Sequence, residues 1–210
     1  MNQRIELLRP SHLTEELLGH AHRVIAEVAA LGGAIGFLSP PDRAQTDALL
    51  HEIIRDQHSN LVLAIVGGEV SGMGACRGMP REPFLLCAEI QKVMVHPSAR
   101  GLGLGKAVLA ALLADAESAG FEMLTLGVRG NNHGAIELYE ELGFREWGRL
   151  PNVIAVGAER FDEVKMCRAL GYRADAMLRG GDPVGPGSSR RRGAHGGIGG
   201  QVQGSARAAT

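Results

Sequence analysis

Along the first 170 residues the apolar positions switch between a spacing of three or four and a spacing of two, which predicts helices interleaved with strands. Residues 4–8 read as a short strand. Leu13, Leu17, Val24, Val28 and Leu31 then recur at helical intervals, with Ser11 as the cap. A second helix is predicted from Ser39, with Pro40 and Pro41 in its first turn and Asp42 three residues on, running to about residue 58. Residues 61–66 and 70–76, separated by Gly67-Gly68, have the pattern of an antiparallel hairpin. A long strand over 85–95 is closed by His96-Pro97, because proline cannot continue a ladder. Helices over 104–119 and 132–142 alternate with strands over 123–128, 144–150 and 163–170. The fold class is therefore α/β or α+β.

Composition adds limits. Of 210 residues, 45% are hydrophobic and 21% charged, enough apolar material for one sizeable core. No apolar stretch approaches the roughly 18–20 residues that cross a bilayer, and the start lacks a basic-then-apolar export signal, so the expected setting is cytoplasmic, with no membrane partner. Lys plus Arg is 22 against 23 for Asp plus Glu, a formal charge of -1, which offers no global field to nucleic acid. Cys76, Cys87 and Cys167 are odd in number and sit in apolar runs, as reduced core thiols do. His20 and His22 do not share a helix face, and no metal site is read. Eleven of the 30 glycines follow Leu170, together with Arg190-Arg191-Arg192. Residues 1–170 are thus expected to form the domain, and 171–210 a flexible, disordered tail.

Chemistry concentrates where Val93-Met94-Val95 leads through His96-Pro97-Ser98-Ala99 into Arg100-Gly101-Leu102-Gly103-Leu104-Gly105-Lys106. Three glycines at alternate positions leave backbone N–H groups uncovered where a helix begins, so unpaired donors and the positive end of the helix dipole converge. A phosphate or pyrophosphate suits that point. A P-loop would need glycine where Arg100 stands and a hydroxyl where Ala107 stands. A dinucleotide fingerprint would need G-x-G-x-x-G, whereas the glycines run G-x-G-x-G. What remains carries its own cation in Arg100 and needs no metal. A tight turn without a ligand is the plainer alternative.

The strand ending in Val93-Met94-Val95, the loop 100–105 and the later Asn132-x-x-Ala135-x-x-x-Tyr139-Glu140-x-Leu142-Gly143-Phe144 resemble the acetyl-CoA-binding motifs of the GNAT N-acetyltransferase superfamily. The resemblance implies a mixed, mostly antiparallel sheet with splayed central strands flanked by helices, the pantetheine inserted like an extra strand and the pyrophosphate at the loop. Gly32-Gly33-Ala34-Ile35-Gly36-Phe37, residues 88–95, Pro97-Ser98-Ala99-Arg100-Gly101 and Gly148-Arg149-Leu150-Pro151 are further similar to the tabtoxin-resistance acetyltransferases, which acetylate a β-lactam amino-acid toxin. Gly127 stands where those enzymes carry an acidic residue.

Acetyl transfer needs a neutral amine, a polarised thioester carbonyl and a proton for the departing sulfur. Glu89 interrupts an apolar strand and, by strict alternation, shares a face with Val93 and Val95, so it is the candidate base. A satisfied structural carboxylate is its alternative. The resemblance gives Tyr139 the role of general acid, against simple aromatic packing, and gives the polarising donor to a bulge amide at Met94 or Val95. It assigns Arg100, the amides of Gly101, Leu102, Gly103, Leu104 and Gly105, and Lys106 to the pyrophosphate, with a solvated surface lysine as the alternative at Lys106. It assigns Asn132 to the pantetheine arm, and makes Gly33 and Phe37 candidates for the acceptor wall, with a simple loop as the alternative there. The expected activity is acetyl-CoA-dependent N-acetylation of a small-molecule primary amine, a toxin or antibiotic among the candidates, with a homodimer left open. A protein N-terminal or lysine acetyltransferase and a non-catalytic CoA-binding module are the competing readings.

Overall fold

The computed structural model describes residues 4–32 and 36–171, so the predicted tail beyond Gly171 and the acceptor-wall residue Gly33 lie outside the described residues. Strands β1 (Ile5–Leu8), β2 (Ser59–Val66), β3 (Glu69–Gly78), β4 (Cys87–Val95), β5 (Met123–Arg129), β6 (Arg145–Val156) and β7 (Glu159–Ala169) form one sheet in the order β1-β2-β3-β4-β5-β7-β6. Helices α1 (Glu15–Ala30) and α2 (Arg43–Arg55) precede β2, α3 (Leu104–Ser118) links β4 to β5, and α4 (His133–Glu141) follows β5. Among the described residues no helix is long and apolar enough to cross a membrane.

Two helix starts differ from expectation. The cap of α1 is Thr14, whose hydroxyl accepts from Leu17 N–H at 3.2 Å, three residues beyond Ser11. In α2 the reciprocal capping box joins Asp42 to Gln45, so Pro40 and Pro41 precede the helix and Ser39 does not cap it. Strand β6 runs past Pro151 to Val156, with a register shift between Leu150 and Ile154, because an edge strand can lose a donor on its open side.

The sheet is covered on both faces. Leu18, Val24, Ile25 and Leu50 of α1 and α2 pack on Leu61, Leu63, Met73 and Met94. Leu104, Leu109 and Leu112 of α3 pack on Val62, Ile90, Leu124 and Val164, where Tyr139 and Phe144 join them. Each fully buried side chain of this size contributes about 1.5–3 kcal/mol, so the two layers hold the sheet from opposite sides.

The strand pairs are antiparallel except at the centre, where β4 and β5 run parallel. That pair is short: Cys87, Ala88 and Glu89 match Met123, Leu124 and Thr125. Beyond it β4 continues to Val95 and β5 to Arg129 without pairing to each other, which opens a gap in the middle of the sheet. On the other edge of β4, Met73 and Ala75 match Met94 and Gln91, so Gly74 alone faces Lys92 and Val93. This is a bulge, and Lys92 sits in it with φ at 54°. A Cβ on Gly74 would come within 2.8 Å of Val108, so the glycine lets α3 settle onto the sheet at this level.

Candidate functional site

The glycine-rich turn is built as the sequence suggests. Gly101 and Gly103 have φ at 82° and 78°, and a Cβ on either would meet nothing within 4 Å, so backbone conformation, not crowding, calls for glycine. Gly103 caps α3 with no side-chain hydrogen bond, and the first internal bond runs from Ala107 N–H to the Gly103 carbonyl at 3.0 Å. The amides of Leu104, Gly105 and Lys106 therefore precede the helical ladder and point out of its start. Together with the helix dipole they form an anion seat with Arg100 exposed at its entry. Gly105 has a second duty, since a Cβ there would press on Leu138 of α4 at 3.2 Å. Lys106 pairs with Glu141 at 3.1 Å, both exposed, which fits the surface-lysine alternative.

His96 anchors the approach to this turn, a role the sequence did not disclose. Its Nδ1 lies 2.7 Å from the Ser98 hydroxyl and its Nε2 lies 2.8 Å from Glu27 of α1. The loop thereby lies against the first helix.

The bulge lies at Lys92 and Val93, ahead of the two amides expected in it, and the register distinguishes those two. The His96 N–H donates to the Ser71 carbonyl at 2.8 Å, and Val95 and Met94 lie opposite Gly72 and Met73. Antiparallel residues alternate between bonding their partner and facing away, so Met94 turns its backbone to β3 and Val95 turns its backbone into the gap. The Met94 side chain is buried beneath α1 and α2. Asn132 caps α4 without a side-chain hydrogen bond of its own, leaving its amide group for other use.

One expectation is overturned by the bulge. Ala88 and Ile90 point to the α3 face, as Val93 and Val95 do. With one extra residue between them the alternation slips, and Glu89 falls on the α1–α2 face instead of sharing a face with Val93 and Val95. Tyr139 lies on the α3 side, 8% exposed and edge-on to Phe144 with ring centroids 5.9 Å apart. Burial pushes its phenol up to about 12, so it stays protonated at neutral pH. The candidate acid and base thus belong to opposite faces of the sheet.

Around Glu89 the α1–α2 face holds several polar groups. Glu89 accepts from the Gln91 amide at 2.6 Å. The Lys92 ammonium lies 5.2 Å above the Phe37 ring, and a Cβ on Gly36 would come within 2.8 Å of it. Burial lowers the Lys92 pKa, and Glu89 pulls it partly back. Phe37 thus lies beside Lys92, on the face that carries Glu89.

Further along the same face, β5 and β7 contribute Thr125, Gly127, Glu163 and Lys165, because Leu124, Leu126, Val164 and Met166 take the opposite side. Lys165 donates to Glu163 Oε1 at 2.7 Å. A Cβ on Gly127 would collide with that same oxygen. The pair is half-buried, and desolvation offsets much of its attraction. Glycine inside an element costs about 0.5–1 kcal/mol relative to alanine, so stability gives no net reason for the arrangement. No contiguous motif announces this group; the exposed glycine inside a strand pattern was its only trace in the sequence.

Cys76 is buried, and burial raises its pKa to about 12.

Comparison with known proteins agrees with this architecture. A model of the Acetyltransferase (GNAT) family matches residues 26–144, more than half of the chain, and the protein belongs to that family. Over 106 residues it is 34% identical to a mycothiol acetyltransferase of Paenarthrobacter aurescens, covering 50% of this chain and 33% of the relative. Over 116 residues it is 31% identical to the L-methionine sulfoximine/L-methionine sulfone acetyltransferase of Pseudomonas aeruginosa, covering 55% of this chain and 67% of the relative. The match therefore spans about a third of the first relative's length and two thirds of the second's. The crystal structure of a ribosomal-protein-alanine N-acetyltransferase from Brucella melitensis superposes with a TM-score of 0.70 at 26% identity, covering 80% of this chain and 99% of that one. A phosphinothricin acetyltransferase from Sinorhizobium meliloti, solved in complex with acetyl-CoA, gives 0.68 at 23% identity over 81% of this chain and 90% of that one, a likeness of fold.

Proposed function

We propose that the protein is an acetyl-CoA-dependent N-acetyltransferase for the primary amine of a small molecule. One observation carries this reading: the gap between β4 and β5 leads to an uncapped helix start whose amides suit a diphosphate. When bound, acetyl-CoA supplies its acetyl group as a thioester. The loop amides from Gly101 to Lys106 and the Arg100 guanidinium hold the pyrophosphate, and Asn132 reaches the pantetheine arm. Val93 and Val95 line the gap, and the outward Val95 amide donates to the carbonyl oxygen being attacked. Glu89 takes the proton from the acceptor's ammonium on the α1–α2 face. Tyr139 holds a proton on the other face for the departing sulfur. The opening through the sheet is what lets groups on opposite faces serve one reaction.

The acceptor is read as a small amino-acid-like amine. The named acetyltransferases of methionine sulfone and phosphinothricin support this, and so does the mixture of Lys92 and Lys165 with Glu89 and Glu163 on the acceptor face. A uniformly acidic groove, which a basic peptide would favour, is not the pattern among the described residues.

Thiol release from acetyl-CoA, measured against L-methionine sulfone, an aminoglycoside, a polyamine and a peptide, tests the proposal. Turnover is expected with the amino acid. No release with any amine, or no heat of CoA binding in calorimetry, overturns it.

A further inference from the structure

Gly127 is an exposed glycine in the middle of β5, two residues beyond Thr125, where pairing with β4 ends. A glycine inside a strand marks the close approach of another group, and here that group is a carboxylate. Register puts Lys165 opposite Gly127 and Glu163 opposite Arg129. The Glu163 side chain must therefore run forward along β7, to the level of Lys165, and cross onto β5 to reach the space above Gly127, where Oε1 is found. It lies over the strand that borders the gap, on the face that carries Glu89. Lys165 donates to Oε1 at 2.7 Å, and among the described residues no other donor reaches the carboxylate. The side chains are 27% and 35% exposed, so both charges remain open to a solute. A carboxylate accepts at both oxygens, which leaves Oε2 for an ammonium donor.

We infer that Glu163 and Lys165, seated on Gly127, form the pole of the acceptor site that reads a zwitterion, Glu163 Oε2 accepting from the acceptor's ammonium and Lys165 Nζ donating to its carboxylate. This rests on the proposed acetyl transfer and names its acceptor class as an α-amino acid. Carboxylate and ammonium side by side on one face match the two charges of such a molecule, and a simple amine or a polyamine would leave Lys165 facing a cation or nothing. Glu163 holds the ammonium; Glu89 remains the group that takes its proton.

The test is calorimetry on full-length protein loaded with CoA, which cannot transfer an acetyl group, with L-methionine sulfone as the probe. Glu163→Gln is expected to weaken probe binding at least tenfold while CoA affinity stays unchanged. Adding Gly127→Asp to Glu163→Ala, which clears the oxygen that a Cβ at 127 would meet, returns a carboxylate from β5 and is expected to recover the binding that Glu163→Ala alone loses. The decarboxylated amine of the probe is expected to bind at least tenfold more weakly than the amino acid, a preference that Lys165→Met removes. Unchanged affinity in folded Glu163→Gln overturns the inference, as does a double variant no better than Glu163→Ala alone. If the unsubstituted protein ignores the probe yet releases thiol with another amine, this inference falls and acetyl transfer stands. If the binding pattern holds without thiol release, acetyl transfer falls and the zwitterion site stands.

Discussion

On the α3 face, the groups assigned to acetyl-CoA are largely backbone: amides at the start of α3, held open by two left-handed glycines, and the outward Val95 amide. On the α1–α2 face, the groups assigned to the acceptor are side chains, with Glu89 and Lys92 from β4, Phe37 from the α1–α2 connection, and Glu163 and Lys165 from β7. The contrast teaches how one scaffold can keep a common donor while the acceptor varies. Backbone geometry survives most substitutions, whereas a cleft made of side chains changes with each of them.

Substitutions that act on one face alone sharpen this contrast. The largest effect is expected from Tyr139→Phe, with kcat falling about 100-fold and CoA affinity unchanged, because general acid catalysis contributes about 10²–10⁴-fold. A spectrophotometric titration checks the premise. The chain has two tyrosines, and one phenol should ionise near pH 12 and vanish from the titration in Tyr139→Phe. Since the folded state holds that proton above the ordinary value near 10, the stability it contributes is lost as pH rises from about 10 to about 12. Wild-type turnover in the variant would leave Tyr139 as packing against Phe144. Next comes Glu89→Gln, expected to lower kcat/KM for the amine by about 10–100-fold and flatten its pH dependence, with KM for acetyl-CoA preserved. A loss of CoA affinity there would blur the division between the faces. The smallest effect is expected from Gly103→Val, which forces a β-branched residue into the left-handed region at about 1–2 kcal/mol and weakens CoA binding about tenfold in calorimetry. Amine selectivity should not move, and a changed order of preference across the amine panel would contradict the separation.

The same contrast explains what could be read from the chain. The turn at 100–106 and the segment from Asn132 to Phe144 are contiguous, so their residue types carried the donor side directly. Helices and strands were legible from periodicity, although the helix expected from Ser39 is capped instead by Asp42, which local hydrogen bonding with Gln45 favours. The face of Glu89 was misread because nothing in Gln91-Lys92-Val93 announces a bulge; lysine is a poor marker of positive φ, and the clue lies on the neighbouring strand, in Gly74. Glu163 and Gly127 are far apart in sequence, and only the register of β5 with β7 brings them together. Long-range pairing is the information that a local reading lacks.

The short union of β4 with β5 also has a mechanical consequence. Strands β1 to β4 form one leaf and β5, β7 and β6 the other, stitched at the spine by Cys87, Ala88 and Glu89. Widening the aperture beyond that seam breaks no ladder within either leaf, so its compliance is set by the helices clasped across it and by whatever molecule fills the opening.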